Sequence, residues 1–381
     1  MHQARRRSAW KIAVTMALTA CLAMLALAGC SSNSGSSGSG SSSTANSSAS
    51  TQPTTVMVTD AAGRSVEIPD ADNLTSIYST SPIGQMYLFT IAPEKAGGSN
   101  TDYTEAELKY LPKGVGDLPN YGTWAMNGTL NNEALMASDV QVILDVSSSA
   151  ITDNDISAAN ELQDQTGIPV LLFDGSVDKT PDTYRAIGKV LGTEDRAEQM
   201  ASYCEKTLAD VTAAVQKVPE SERVSVYYAE GPDGLKTEPE NSPHFTTFKV
   251  AGAKDAAVCD MTKGSGMTQV SLENVIAWNP DVIIAWDDQI KGGADDAIRT
   301  SSDWSSISAV QNGKVYTIPS VPYMWGDRPP SVTRYIGMQW LCNKLYPDYY
   351  NIDMVQTTKD FYSLFFSVTL TDDEAKEILG E

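Results

Sequence analysis

The chain has 381 residues and a formal net charge of −21. A protein this acidic is repelled by nucleic acid, and no basic aromatic patch interrupts its charge, so we expect no nucleic-acid partner. Two histidines and five cysteines, with no CxxC or HExxH pattern, disfavour a zinc site and a metalloprotease. We therefore predict that the protein has no cofactor and binds no metal directly.

The first segment is predicted to be a targeting signal. Three arginines and Lys11 precede an apolar run over residues 12–26, which leads into Leu-Ala-Gly-Cys ending at Cys30. This pattern indicates a lipoprotein signal peptide over residues 1–29, with Cys30 carrying the lipid. The run is too short to favour an uncleaved membrane anchor. Cleavage removes four basic residues and no acidic ones, which takes the net charge from −21 to −25.

Residues 30–55 contain almost only Ser, Gly, Thr, Ala and Asn. This composition predicts a flexible tether that reaches roughly 25–30 Å. We therefore expect the folded part to work outside the cytoplasm, attached to the cell membrane through the lipid.

The remaining sequence alternates between helical patterns and short apolar strands. After two strands in residues 56–69, strands are predicted at residues 75–78, 140–145, 170–173, 224–229, 282–286 and 315–318. Helices are predicted at residues 84–91, 132–137, 156–166, 245–252, 272–278 and 331–346. This alternation predicts an α/β protein with parallel sheets covered on both faces. Because about 325 residues exceed one ordinary core, we expect two lobes, at residues 56–192 and 219–381.

Residues 193–218 contain no Gly or Pro and predict one helix roughly 40 Å long. Thr193 is placed to cap its first turn. We interpret this segment as a single helix that joins the two lobes; the alternative is an ordinary long surface helix. Its apolar stripe comprises Ala197, Met200, Ala201, Cys204, Leu208, Val211, Val215 and Val218.

Three cysteines follow Cys30, which allows at most one internal disulfide. They are Cys204, Cys259 and Cys342. Because Cys204 lies on the apolar stripe, we expect it to pack in the core.

Residues 132–143 and 272–283 align without a gap. In both, a Glu (Glu133 and Glu273) begins a short helix, an Ala follows four residues later, and Val-Ile follows nine residues later. The helix dipole favours a Glu at this position, so two ordinary helix starts are one interpretation. Equivalent placement in both halves favours a shared role.

The chain resembles the class III solute-binding proteins of ABC importers, which deliver iron–siderophore complexes, haem, cobalamin and some oxyanions. The resemblance covers residues 56 to the C-terminus and rests on the lipobox, DAAGRSVEIP at residues 60–69, LENVIAWNPDVII at residues 272–284 and the single joining helix. It implies an ABC permease and its ATPase as partners, with Glu133 and Glu273 contacting arginines of the permease. Val140-Gln141 departs from the Pro-Asp usual in the family. We expect a monomer.

The ligand is expected between the lobes, at the carboxyl ends of the strands. Candidate loops are residues 79–82, 120–124, 230–237, 242–245 and 322–328. Tyr121, Trp124, Tyr323 and Trp325 would offer flat apolar surface, although they could equally belong to the lobe cores.

Arg328 would donate to an anionic ligand, or else pair with Asp327 or a nearby Glu. His244 is a candidate contact or a plain loop histidine. The run at residues 325–331 is similar to a subgroup that handles iron complexes and also molybdate or tungstate.

We thus predict a lipid-anchored binding protein, not an enzyme, that captures a metal complex for an ABC permease. An iron–siderophore or related chelate is the first candidate ligand, and an oxyanion (molybdate or tungstate), cobalamin or haem is the alternative. Two further alternatives are a lipoprotein hydrolase that uses His244 with a Ser, and a surface sensor or adhesion module. No G-x-S-x-G and no phosphate-binding G-x-x-x-x-G-K-[ST] motif occurs.

Overall fold

The computed structural model describes residues 54–124, 128–261, 266–287 and 292–381. The predicted signal peptide, Cys30 and all but the last two residues of the predicted tether lie outside these ranges. Among the described helices, none is both long enough and apolar enough to cross a bilayer.

The first half of the described chain forms a hairpin and a parallel sheet. Strands β1 (Thr55–Thr59) and β2 (Ser65–Pro69) pair antiparallel, and β3 (Ile77–Ser79), β4 (Val142–Ser147) and β5 (Val170–Asp174) form a sheet in the order β3-β4-β5 with all pairs parallel. The helices are α1 (Pro82–Ile91), α2 (Glu105–Leu108), α3 (Asn132–Met136), α4 (Asp153–Thr166) and α5 (Thr180–Leu191). The predicted parallel sheet is confirmed, whereas α5 was not predicted.

Helix α6 (Glu194–Val215) follows the first sheet and confirms the predicted long helix. Cys204 is fully buried in its apolar face, as expected. Thr207 lies in this face, whereas the predicted Leu208 is only partly buried, so the stripe is shifted by one residue there. The expected cap by Thr193 is wrong: its hydroxyl accepts no hydrogen bond, because φ −125° and ψ 38° depart from the extended conformation that capping requires. Cys204, Cys259 and Cys342 are free thiols.

The second half forms a four-stranded parallel sheet in the order β11-β10-β6-β8. Its strands are β6 (Ser225–Ala229), β8 (Lys254–Asp255), β10 (Val282–Ala285) and β11 (Val315–Thr317), and a separate antiparallel pair is formed by β7 (Lys236–Thr237) and β9 (Thr268–Gln269). The helices are α7 (Thr246–Val250), α8 (Leu272–Trp278), α9 (Asp295–Thr300), α10 (Ser308–Gln311), α11 (Thr333–Leu345), α12 (Met354–Phe366) and α13 (Asp372–Leu379).

The two halves share one continuous hydrophobic core. It includes Leu144 of β4, Val211 of α6, Tyr228 of β6, Trp340 of α11 and Phe365 of α12. Helix α12 has a strongly apolar face, yet neither it nor α13 was predicted from the sequence. The core thus contains side chains from both sheets and from the helices between them.

In each sheet an equivalent polar side chain joins the starts of two neighbouring strands by hydrogen bonds. In the second half the carboxylate of Asp281 accepts hydrogen bonds from the N–H and hydroxyl of Ser225, at 2.8 and 2.9 Å. In the first half the amide oxygen of Gln141 accepts from the N–H groups of Thr75 and Ser76, at 2.7 and 3.1 Å. Because Gln141 provides the same kind of acceptor at the start of the neighbouring strand, the departure from Pro-Asp leaves the repeat intact.

Candidate functional site

The carboxyl edge of the first sheet borders a cavity of about 330 Å³, lined in part by Ser81, Trp124, Asp145 and Ser147. Helix α1 begins here, and the first N–H groups of a helix lack partners within it. Gly84 permits this arrangement, because a Cβ on it would lie 2.2 Å from Oγ of Ser79 at the end of β3. The N-terminus of α1 is thereby held against the sheet edge.

Ser81 precedes this helix with its hydroxyl unused. The residue is 3% exposed, and its Oγ has no hydrogen-bond partner among the described residues. A buried hydroxyl without a partner is unfavourable unless something else satisfies it. The loop at residues 79–82, which the sequence singled out, thus offers a hydrogen-bonding group close to the cavity.

Acidic groups line the same cavity. Asp145 Oδ1 accepts a hydrogen bond from the hydroxyl of Thr80 at 2.6 Å, and burial raises the pKa of the Asp145 carboxyl. Asp155 Oδ2 accepts from the N–H and hydroxyl of Thr152 as part of the cap of α4. The cavity therefore combines hydroxyl donors with carboxylate acceptors and one indole ring.

The second sheet carries a buried ionic cluster near its carboxyl edge. Nε of Arg328 lies 3.0 Å from Oε1 of Glu230, and its Nη2 lies 2.5 Å from Oε1 of Glu238. The Asp327 carboxylate lies 3.6 Å from the same Nε, and all three acidic side chains are fully buried. Of the two sequence-based interpretations of Arg328, the ion pair is the one seen. Contact with a ligand stays a prediction.

Burial makes this cluster sensitive to pH. Desolvation, reinforced by the charge of Asp327, raises the pKa of Glu230 to about 9. Desolvation also lowers the pKa of the nearly fully buried Arg334 to about 10, so its guanidinium stays charged at neutral pH. The charge that Glu230 carries beside Arg328 is therefore expected to depend on pH.

The predicted contact His244 lies beside this cluster. Its Nδ1 is 2.7 Å from Oδ2 of Asp327, although the two atoms are not aligned as a hydrogen bond. The nearby Ser242 hydroxyl donates to Glu238 at 2.6 Å. Ser242 therefore does not form the Ser–His pair that the hydrolase alternative requires, and a ligand contact by His244 stays a prediction.

Three of the four predicted aromatic contacts are buried. Tyr121 is 8% exposed and packs edge-on against Tyr78, and Trp325 is fully buried. Tyr323 is 6% exposed, and its hydroxyl lies 2.6 Å from that of Tyr103, which joins the two halves. Trp124 is partly exposed and lines the 330 Å³ cavity. Of the four, Trp124 therefore offers a ring to a ligand in this conformation.

A second cavity of about 320 Å³ lies at the carboxyl end of β11. Residues 317–321 line it from the second half, and Lys109 and Tyr110 line it from the first. Both cavities thus lie at carboxyl edges of sheets, where open parallel sheets bind ligands.

The loops predicted from the sequence contain some of these polar groups but not all of them. Ser81 and Glu230 lie in predicted loops, whereas Glu238 lies one residue beyond one. An acidic residue directly after the buried strand β6 was the available signal for Glu230. No local pattern marks Tyr103, whose partner Tyr323 is 220 residues away.

Arg328→Ala should destabilise the fold, because it leaves Glu230 and Glu238 buried without their cationic partner. We expect the free energy of unfolding to fall by about 3–5 kcal/mol, measured by denaturant unfolding. Arg185→Ala is the matched control, since Arg185 also bridges two glutamates, Glu198 and Glu205, but at the surface. For this control the free energy of unfolding should fall by at most about 1 kcal/mol per ion pair. If the two substitutions lowered the free energy of unfolding equally, the assignment of Arg328 to a buried ionic cluster would be contradicted.

Glu230→Gln should change how stability depends on pH. Because folding raises the pKa of Glu230, its proton stabilises the fold fully below pH about 4.5, and this contribution is lost as pH rises towards 9. The melting temperature of Glu230→Gln relative to wild type should therefore rise between pH 5 and pH 9. Asp255→Asn is the control, because burial raises the pKa of Asp255 to about 7, so its effect should level off earlier. A difference in melting temperature that stays constant with pH would contradict the raised pKa of Glu230.

Comparison with known proteins assigns the family. The periplasmic binding protein family model matches residues 148–322. The chain is 32% identical over 129 residues to the molybdate-binding protein MolA of Haemophilus influenzae. This match covers 33% of this chain and only 34% of that relative. It is 26% identical over 331 residues to the uncharacterized ABC transporter substrate-binding lipoprotein YvrC of Bacillus subtilis, which covers 86% of this chain and 95% of that relative.

A solved structure agrees over nearly the whole fold. The ABC transporter solute binding protein from Sulfurospirillum deleyianum superposes with a TM-score of 0.76 and 30% sequence identity, covering 85% of this chain and 99% of that chain. The similarity therefore includes both parallel sheets of this chain. The chain therefore belongs to the class III solute-binding proteins of ABC transporters, within the periplasmic binding protein family.

Proposed function

We propose that this protein is a lipid-anchored binding protein that captures a compact metal chelate, of the iron–siderophore class, and delivers it to an ABC permease. The observation that carries the ligand proposal is the mixed lining of the 330 Å³ cavity at the first sheet. Its hydroxyls donate, its carboxylates accept, and Trp124 supplies an apolar face. A metal chelate with an organic shell presents matching acceptors, donors and apolar surface.

The size and lining of the cavities favour a compact ligand over a macrocycle. Volumes of about 320 and 330 Å³ lie at the lower end of the range for ligand pockets, which is about 300–1,000 Å³. A haem or corrinoid needs a wide apolar face, and three of the four predicted aromatic side chains are buried elsewhere. We therefore rank a small chelate above haem and cobalamin.

A second candidate ligand is an oxyanion such as molybdate. Two observations favour it: the unpartnered hydroxyl of Ser81 at the N-terminus of α1, and the similarity to a molybdate-binding relative. Asp145 and Asp155 weigh against it, because a bare oxyanion only accepts hydrogen bonds and is repelled by carboxylates. The two candidates thus differ in what they require of Asp145.

Two features of the sequence support a role in import. The lipobox at Cys30 supports lipid attachment outside the cytoplasm, and Glu133 and Glu273 support docking on a permease that its ATPase drives. Both glutamates are exposed in the first turns of α3 and α8. A carboxylate on each lobe suits a partner with two basic sites, because charges at an interface set both orientation and association rate.

The ligand proposal can be tested by titrating the purified protein and following its intrinsic tryptophan fluorescence. The panel of compounds is ferric hydroxamate, ferric citrate, haem, cobalamin and molybdate. We expect saturable binding of a ferric chelate. Ser81→Ala and Asp145→Asn should each weaken it about tenfold, since each removes one hydrogen-bonding group from the bound ligand.

Asp145→Asn separates the two candidates, because its amide can still accept from Thr80. Weaker binding after this change supports a chelate that donates to Asp145. Tighter binding of molybdate would support the oxyanion instead, since a repelling charge is removed. If no compound in the panel binds saturably to wild type, the ligand proposal is wrong.

A further inference from the structure

The helices that carry Glu133 and Glu273 are alike in structure as well as in sequence. In α3 the side chain of Asn131 accepts a hydrogen bond from the N–H three residues later, and in α8 the side chain of Ser271 does the same. Residues 131–140 and 271–280 have the same exposure class at nine of ten positions. This agreement shows that the two segments present equivalent surfaces, even though most of their side chains differ.

Each surface includes one large apolar side chain that is exposed to solvent. Met136 is 48% exposed and Ile276 is 40% exposed, and they occupy equivalent positions three residues after Glu133 and Glu273. Residues three apart are neighbours on one face of a helix. A single exposed apolar side chain is ordinary on a protein surface. Of the six large apolar side chains exposed in the described part of the chain, however, two lie at this repeated position.

The neighbouring residues leave Met136 and Ile276 accessible. Ala137 and Ala277, one residue further on, are also exposed, so no bulky side chain covers the apolar group. Neither Glu133 nor Glu273 forms a salt bridge with another residue in the described ranges. Each half thus offers an exposed carboxylate, without a cationic partner among the described residues, beside an exposed apolar side chain.

We propose that these pairs, Glu133 with Met136 and Glu273 with Ile276, form a two-part docking surface for the permease. The inference rests on the proposed function and extends it from charge to apolar contact. The partner should present, on each of two like subunits or halves, a basic side chain beside an apolar recess. A second copy of this chain does not fit, because acidic groups would face acidic groups between two strongly acidic molecules.

The two parts of the surface should act on different rate constants. Exposed charges mainly govern association and its salt dependence, whereas buried apolar contacts mainly govern dissociation. Burying a Met or Ile side chain stabilises a complex enough to change its lifetime at least about tenfold. Kinetics therefore distinguish the apolar part from the acidic part.

The test is surface plasmon resonance between the full lipidated chain and its cognate permease, both in the same detergent, at low and high salt. Met136→Gln combined with Ile276→Gln should raise the dissociation rate constant at least about tenfold and leave the salt dependence unchanged. Glu133→Gln combined with Glu273→Gln should lower the association rate constant and flatten its salt dependence. Met57→Gln combined with Val258→Gln is the matched control, because these side chains are 62% and 83% exposed outside the two helices.

The possible failures point to different causes. If the apolar double variant dissociates like the control while the glutamate variant docks poorly, the apolar part of the inference is wrong and the docking role of the glutamates stands. If neither double variant differs from wild type, the docking surface lies elsewhere. If wild type shows no binding to the permease at all, the proposed function itself fails, and this inference fails with it.

Discussion

The loop that carries Arg328 owes its position to a close contact with helix α11. A Cβ on Gly337 would lie 1.9 Å from the carbonyl oxygen of Trp325, so the helix backbone directly abuts this loop. Eleven of the thirteen residues of α11 are buried, which makes it a central helix of the fold. Through it the core continues from one sheet to the other, and Arg334 on its first turn lies beside the ionic cluster. Helix α11 thus links the loop that carries Arg328 to the core that both halves share.

Local patterns in the sequence were enough to predict the parallel sheets and the repeat. The apolar strands around Ile143 and Ile283 and the placement of Glu133 and Glu273 all follow from short-range spacing. Helix α6 was also predicted, because its apolar residues recur with helical period. Its interpretation as the element that joins the lobes stays a prediction, and α11 contributes as much to the shared core.

The polar groups at the site could not be predicted in the same way, because their partners are distant in sequence. Arg328 pairs with Glu230 and Glu238, which are 98 and 90 residues away, and Tyr103 meets Tyr323 across 220 residues. An aromatic residue in a loop also looks the same whether its ring is exposed or buried. Trp325 shows this, since it lies in a predicted binding loop and is nevertheless fully buried. Tertiary packing, rather than local propensity, decides these cases.

We propose that ligand capture and permease docking use separate surfaces of one protein. The most direct test pairs ligand titration with ligand-stimulated ATP hydrolysis by the reconstituted permease, for wild type and for Glu133→Ala combined with Glu273→Ala. Ligand affinity should stay within a few-fold of wild type, because the cavities are lined by other residues, while stimulation of ATP hydrolysis should be lost. A double variant that loses ligand binding but still stimulates ATP hydrolysis when ligand is saturating would contradict the account.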